Sequence, residues 1–202
     1  KKYFPKHDAL IWSQVNVAAL SDVDVIINLA GENIGQGRWT AARKRKIKDS
    51  RIKATALLAD SCALMGESSP RLINASAIGI YGKKPQCSVD ENASLNSGES
   101  DFLSEVGLAW ESALQPAITA GVSVTVLRLG VILSSKGGML KQLLPSYRLG
   151  LGAIIGDGAQ KLSWVTLPDV VRAVQFLLTN NRYSGAFNVV ADEVVTQASF
   201  AK

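Results

Sequence analysis

Four short apolar runs, at residues 23–29, 72–76, 122–129 and 186–190, are separated by helix-length amphipathic stretches at about 40–65, 101–115 and 168–179. This alternation constrains the chain more than any other feature. The runs are mostly Val, Ile and Leu, so each predicts a strand buried on both faces. Parallel strands need long crossover connections, usually helical, and these cover the faces of the sheet. The expected fold is therefore α/β, a doubly wound parallel sheet. Pro116 and Gly121 close the second helical stretch, and Pro168 and Asp169 open the third. In such sheets ligands bind beyond the carboxyl ends of the strands, so the residues just after each run are the ones to inspect.

With 202 residues, 47% of them apolar, the chain suits one sizeable core, and residues 1–202 are expected to form a single domain. A membrane helix needs roughly 20 apolar residues. The best stretch, 117–133, is broken by Thr119, Gly121, Ser123, Thr125 and Arg128, so no bilayer span is expected. The opening KKYFPKHDALIW has neither a starting Met nor the apolar core of an export signal, which suggests that the native N-terminus lies elsewhere. Cys62 and Cys87 stand far apart and His7 is the sole histidine, so no zinc set is expected and reduced thiols of the cytoplasm fit best. Net charge is +5, with Arg43, Lys44, Arg45, Lys46, Lys48, Arg51 and Lys53 opposed only by Asp49 in one segment. Ala41, Ile47, Ala54, Leu57 and Leu58 give that segment an apolar side, so the charges read as a solvated helix face and no nucleic-acid partner is expected.

Small residues follow the runs: Asn28-Leu-Ala-Gly-Glu-Asn-Ile after the first, Ala75-Ser-Ala-Ile-Gly-Ile-Tyr-Gly after the second, Arg128-Leu-Gly-Val after the third. Such residues let a flat ligand approach the backbone, or simply make tight turns. Taken in order, they resemble the strand ends of the extended short-chain dehydrogenase/reductases. NLAGENI, RW at 38–39, SRI at 50–52, WE at 110–111, LRLGVIL, GGML, RLGLG, GDG and SWV resemble an atypical subgroup of nucleoside-diphosphate-sugar epimerase-like and cell-division-inhibitor-like proteins.

The resemblance implies a Rossmann-type sheet binding NADP or NAD, with NADP ahead, and acting on an unidentified small molecule of which nucleotide sugars are the suggested class. It also allows a homodimer. A non-catalytic dinucleotide-binding regulatory or interaction protein is the alternative. The implied cofactor contacts are Leu29, Ala30, Gly31, Ala75, Ser76, Ala77, Arg128 and Gly130. Residues 137–164 correspond to a substrate-side segment over the cleft. The family's first strand and Gly-rich phosphate loop are absent, and Gly31, Gly35 and Gly37 have the wrong spacing to replace that loop. Thr196 caps a helix with only a few residues left, so the fragment is expected to be truncated at both ends.

Reductases of this family use a Tyr as general acid/base and a Lys four residues later. Counted back from Glu111, which matches the Glu ending Y-x-x-x-K-x-x-x-E, those positions hold Leu103 and Gly107. Neither moves a proton. The catalytic hydroxyl position falls on Ala77, while the available hydroxyl, Ser76, stands one residue earlier; Ser50 stands where the family often has an Asn. Ser76 and Tyr81 are the remaining candidate proton donors, with strand-end capping and ring packing as their structural roles. Arg128 serves either an internal ion pair or a ligand contact. Asp169 suits a helix start, Trp110 the core, and Trp39 and Trp164 the substrate side.

Overall fold

The computed structural model describes residues 7–82, 88–95, 100–150, 152, 154 and 156–201; Cys87 lies outside them. A short helix α1 (Val17–Leu20) leads to β1 (Val25–Asn28), α2 (Ala41–Met65), β2 (Arg71–Ala77) and a tight turn at Ile78–Tyr81. Then come α3 (Phe102–Ser112), α4 (Gln115–Thr119), β3 (Val124–Leu129), β4 (Val131–Leu133) and α5 (Gly138–Arg148). The last elements are β5 (Lys161–Leu162), β6 (Trp164–Thr166), α6 (Leu167–Thr179), β7 (Gly185–Val189), β8 (Val195–Thr196) and α7 (Gln197–Phe200). The main sheet has the order β1-β2-β3-β7 and every pairing in it is parallel. The four apolar runs are its strands, as the α/β reading requires.

Local chemistry starts and stops the helices. Thr40, Asp101 and Thr166 cap α2, α3 and α6 with side-chain oxygens that accept from the backbone N–H groups of Arg43, Ser104 and Asp169. The helix expected over 101–115 is α3, ending at Ser112, and a separate short helix α4 follows it. Proline has no N–H and its ring clashes with the carbonyl four residues back, so Pro116 ends α3 and sits in the first turn of α4. Thr196 caps α7 as the sequence indicates.

Strand side chains alternate with period two, which divides the core. Leu72, Val124 and Val126 face Ala59 and Cys62 of α2 and Leu114 and Ala117 near α4. Ile73 and Leu127 face Leu177 of α6, joined by Val25, Leu129, Val174, Tyr183 and Val189. Burial pushes the free Cys62 thiol up, partly offset by Ser69. Buried Arg71 crosses the second layer: its guanidinium donates to the carbonyls of Leu177 and Tyr183 and to Thr125 Oγ1. That one side chain ties β2 to β3, to the end of α6 and to the approach to β7.

Candidate functional site at the carboxyl ends of the strands

The face of the sheet covered by α2 and α3 is apolar at its amino end and polar at its carboxyl end. Along β2 the same-side residues run Leu72, Asn74, Ser76; along β3 they run Val124, Val126, Arg128. Register places Asn28 beside Asn74, Ser76 beside Arg128, and Arg128 beside Asn188. Buried polar groups are tolerable only when paired, and these are.

In the first cluster Asn28 Nδ2 donates to Thr55 Oγ1 at 2.9 Å and to Asn74 Oδ1 at 2.6 Å. Trp110 Nε1 donates to the same Thr55 hydroxyl at 2.9 Å, so Trp110 is a core residue with its one donor satisfied. Asn28 Oδ1 accepts from Ala30 N at 3.1 Å and shapes the chain as it leaves β1.

In the second cluster Arg128 grips Glu111 through two contacts, Nε to Oε1 at 3.0 Å and Nη2 to Oε2 at 2.9 Å. Ser76 Oγ donates to Glu111 Oε1 at 2.6 Å. Arg128 Nη1 donates to Tyr81 Oη at 2.9 Å, and Tyr81 Oη donates to Asn188 Oδ1 at 2.8 Å. Glu91 closes the network: its carbonyl accepts from Arg128 Nη1 at 3.3 Å and its carboxylate from Asn188 N at 2.6 Å. Glu111 above all, with help from Tyr81, holds the Arg128 guanidinium more firmly protonated than usual despite burial. Of the two roles open for Arg128, the geometry displays the internal ion pair. Ser76, Tyr81 and Arg128 are 2%, 4% and 5% exposed, and both hydroxyl hydrogens point at protein acceptors.

The implied cofactor contacts divide by access. Leu29, Gly31 and Ala77 are exposed and Ala30 is half-buried, whereas Ala75, Ser76, Arg128 and Gly130 are buried. At Gly130 the need for glycine is internal, because a Cβ there would stand 2.9 Å from Ser163 O and 3.0 Å from Val190 Cγ1. Gly107 has the same explanation. A Cβ on it would stand 2.9 Å from Ile80 Cβ and 3.0 Å from Ile80 Cα, so α3 lies against the turn after β2 with no room for a side chain. Leu103, one turn earlier, is 37% exposed and packs beside Gly79.

The loop after β1 is held by α2. Ser50 Oγ accepts from Glu32 N at 2.9 Å and donates to Ile47 O at 3.0 Å. Glu32 pairs with Arg43 at 2.7 Å and Lys46 at 3.3 Å, which hold its carboxyl below the usual range. Arg43 also donates to the carbonyl of Asn33. Trp39 donates to Ile34 O at 2.9 Å and meets Phe102 edge-on at 5.4 Å, placing it at the start of α3. Trp164 lies half-buried on β6, beside Val131. Within 137–164, α5 comes alongside the first loop, with Gln142 Nε2 3.7 Å from a Cβ built on Gly35. Asp169 takes Thr166 Oγ1 and Arg172 as donors at the start of α6, and both lower its pKa. Among the described residues no group of three or more His, Cys, Asp and Glu could hold a metal, and no helix is long and apolar enough to cross a membrane.

Sequence reasoning did not find Thr55, Asn74, Asn188, Glu91 or Ile80. A signal was present for the asparagines, which interrupt apolar strands at positions of one parity near their carboxyl ends. Nothing in the sequence marks Ile80 as the partner of Gly107.

Known proteins share this architecture. Epimerase family protein Mb2239 of Mycobacterium bovis is 44% identical over 182 residues, which is 90% of this chain and 59% of that protein. The chain thus spans under two thirds of that relative's length. Among solved structures, the human epimerase family protein SDR39U1 with NADPH superposes with a TM-score of 0.80 at 28% identity, covering 92% of this chain and 64% of that one. The nucleoside-diphosphate sugar epimerase of Corynebacterium glutamicum also gives 0.80, at 31% identity over 98% of this chain and 41% of its own. The match to the family described as NAD dependent epimerase/dehydratase runs through residues 8–190 of 202, and the chain belongs to that family.

Proposed function

We propose that the complete protein binds a nicotinamide dinucleotide across the carboxyl ends of β1, β2 and β3, NADP ahead of NAD, and acts in the cytoplasm on a small molecule of the nucleotide-sugar class without a Tyr–Lys pair. The observation that carries this reading is the superposition over 92% of the chain on a protein solved with NADPH. The residues fit such a ligand, because Leu29, Ala30, Gly31 and Ala77 offer an accessible, largely apolar surface with little side-chain bulk at the strand ends. When bound, the nicotinamide supplies hydride transfer. Leu103 lines the place where the family has its phenol and would exclude water without moving a proton. Ser76 and Tyr81 remain the proposed proton donors, and either must break its bond to Glu111 or Asn188 to serve.

That commitment of both hydroxyls favours the second reading, a protein that binds dinucleotide without rapid turnover. The test is calorimetric titration of the complete protein with NADPH and NADH, followed by absorbance at the NADPH band against sugar nucleotides and carbonyl compounds. Absence of binding to either cofactor refutes the proposal. Turnover lost in Ser76→Ala or Tyr81→Phe, with cofactor affinity retained, identifies the donor; binding without turnover leaves the regulatory reading.

A further inference from the structure

Arg51 differs from every other well-held cation of the site. It lies on α2 one turn before Thr55, whose hydroxyl meets Asn28 and Asn74. A turn of helix rises about 5.4 Å, and α2 begins at the carboxyl end of the sheet, so the guanidinium stands just beyond the ends of β1 and β2, against the loop that follows β1. It is fixed there: Nη1 donates to Ile47 O at 3.0 Å and Glu32 O at 3.1 Å, and Cζ sits 5.1 Å from the Trp110 ring centroid. No carboxylate pairs with it among the described residues, since Glu32 is taken by Arg43 and Lys46. Burial disfavours its charge, opposed in part by the charge of Glu32.

The unused donors are informative. Arg128 grips Glu111 with the edge formed by Nε and Nη2. In Arg51 that same edge has no hydrogen-bond partner among the described residues, and the residue is half-buried, not sealed in the core. Gly31 lies directly against the guanidinium, because a Cβ there would stand 3.1 Å from Arg51 Cζ and 3.2 Å from Nη2. We infer that Arg51 is an anion-contact residue of the crevice, presenting its Nε–Nη2 edge to an oxyanion of the bound ligand, either a phosphate or a carboxylate. Planar guanidinium and oxyanion match in a bidentate pair. This deepens the dinucleotide reading by giving the crevice a fixed positive charge on α2, where α3 carries no lysine.

The experiment compares the complete natural protein with Arg51→Met, which keeps much of the stem, and Arg51→Lys, which keeps the charge and removes the planar two-donor edge. One arm titrates NADPH into ligand-free protein. The other follows the thermal midpoint with inorganic phosphate and with UDP-glucuronic acid, in the presence and absence of NADPH. A charge-assisted contact predicts a loss of about tenfold to a hundredfold in affinity. Loss in the NADPH arm assigns the oxyanion to the cofactor, and loss confined to the other arm assigns it to the substrate. A purely structural clamp would lower the midpoint of Arg51→Met and leave every affinity unchanged, and that result overturns the inference. If Arg51→Met does not fold, Arg51→Lys decides by the same criterion. A natural protein that binds no NADPH refutes the dinucleotide reading alone, because phosphate and UDP-glucuronic acid still report on Arg51; indifference of all variants to them then overturns this inference too.

Discussion

Replacing Gly107 by alanine adds one methyl group inside a helix, a change that ordinarily stabilises by about 1 kcal/mol. Here the new Cβ would sit 2.9 Å from Ile80 Cβ and 3.0 Å from Ile80 Cα. The second of these is backbone and cannot turn aside, so the turn at Ile78–Tyr81 must move away from α3. Overpacking a buried contact costs typically 1–3 kcal/mol, and a backbone clash belongs in the upper half of that range. The net expectation is a loss of about 1–2 kcal/mol. Urea denaturation of the complete protein measures it, as a lower midpoint at unchanged slope. Gly107→Lys should fail to fold, so restoring the family pair by Leu103→Tyr with Gly107→Lys should give no active enzyme, whereas Leu103→Tyr alone, at a position 37% exposed, should be tolerated. If Gly107→Ala proves stabilising by about 1 kcal/mol, as an unhindered helix glycine would be, the close approach is wrong and the argument with it.

Three further perturbations address the polar rim and the first loop. Arg128→Met leaves Glu111 as an unpaired, largely buried carboxylate and should cost about 3–5 kcal/mol, while the double variant with Glu111→Leu should lose less than the sum of the single ones in the same denaturation assay. Thr55→Val strands the Trp110 N–H and removes a partner of Asn28; a loss of about 1–3 kcal/mol is expected, with altered tryptophan fluorescence. Because Arg43 and Lys46 depress the Glu32 pKa on folding, its ionised form stabilises the fold above the unfolded pKa, and this is lost as pH falls through the lower folded value. The stability gap between the natural protein and Glu32→Gln should therefore be full at pH 7 and shrink as pH falls below the unfolded value of about 4.3; a gap that does not change with pH would contradict the assignment.

The sheet was legible because buried strands advertise themselves. Residues 23–29, 72–76, 122–129 and 186–190 contain or closely overlap β1, β2, β3 and β7, and Thr196, read as a cap, does start α7. The subsidiary pairs β4–β6 and β5–β8 have two or three residues each, too short for any periodicity to register. At the site, positions 103 and 107 were readable as the ones to inspect by counting from Glu111. The reason Lys cannot return was not, since it depends on Ile80, 27 positions away in a turn whose approach to α3 is a product of packing. Arg51 was hidden in another way: it is one of seven basic residues that look alike in sequence, and its bonds to Ile47 O and Glu32 O and its stacking on Trp110 are products of packing.

Arg71 sets how the molecule comes apart. Its bonds reach partners 54, 106 and 112 residues away, joining the first half of the described chain to the second through one guanidinium. A local opening of α6 would leave that buried cation without the Leu177 and Tyr183 carbonyls, so fraying there is opposed by a cost felt in β2. Amide hydrogen exchange in β2, β3, the last turn of α6 and the start of β7 should then proceed with a common opening free energy, as one cooperative unit. The end of α2 and the segment around α5, which share none of these bonds, are free to exchange earlier.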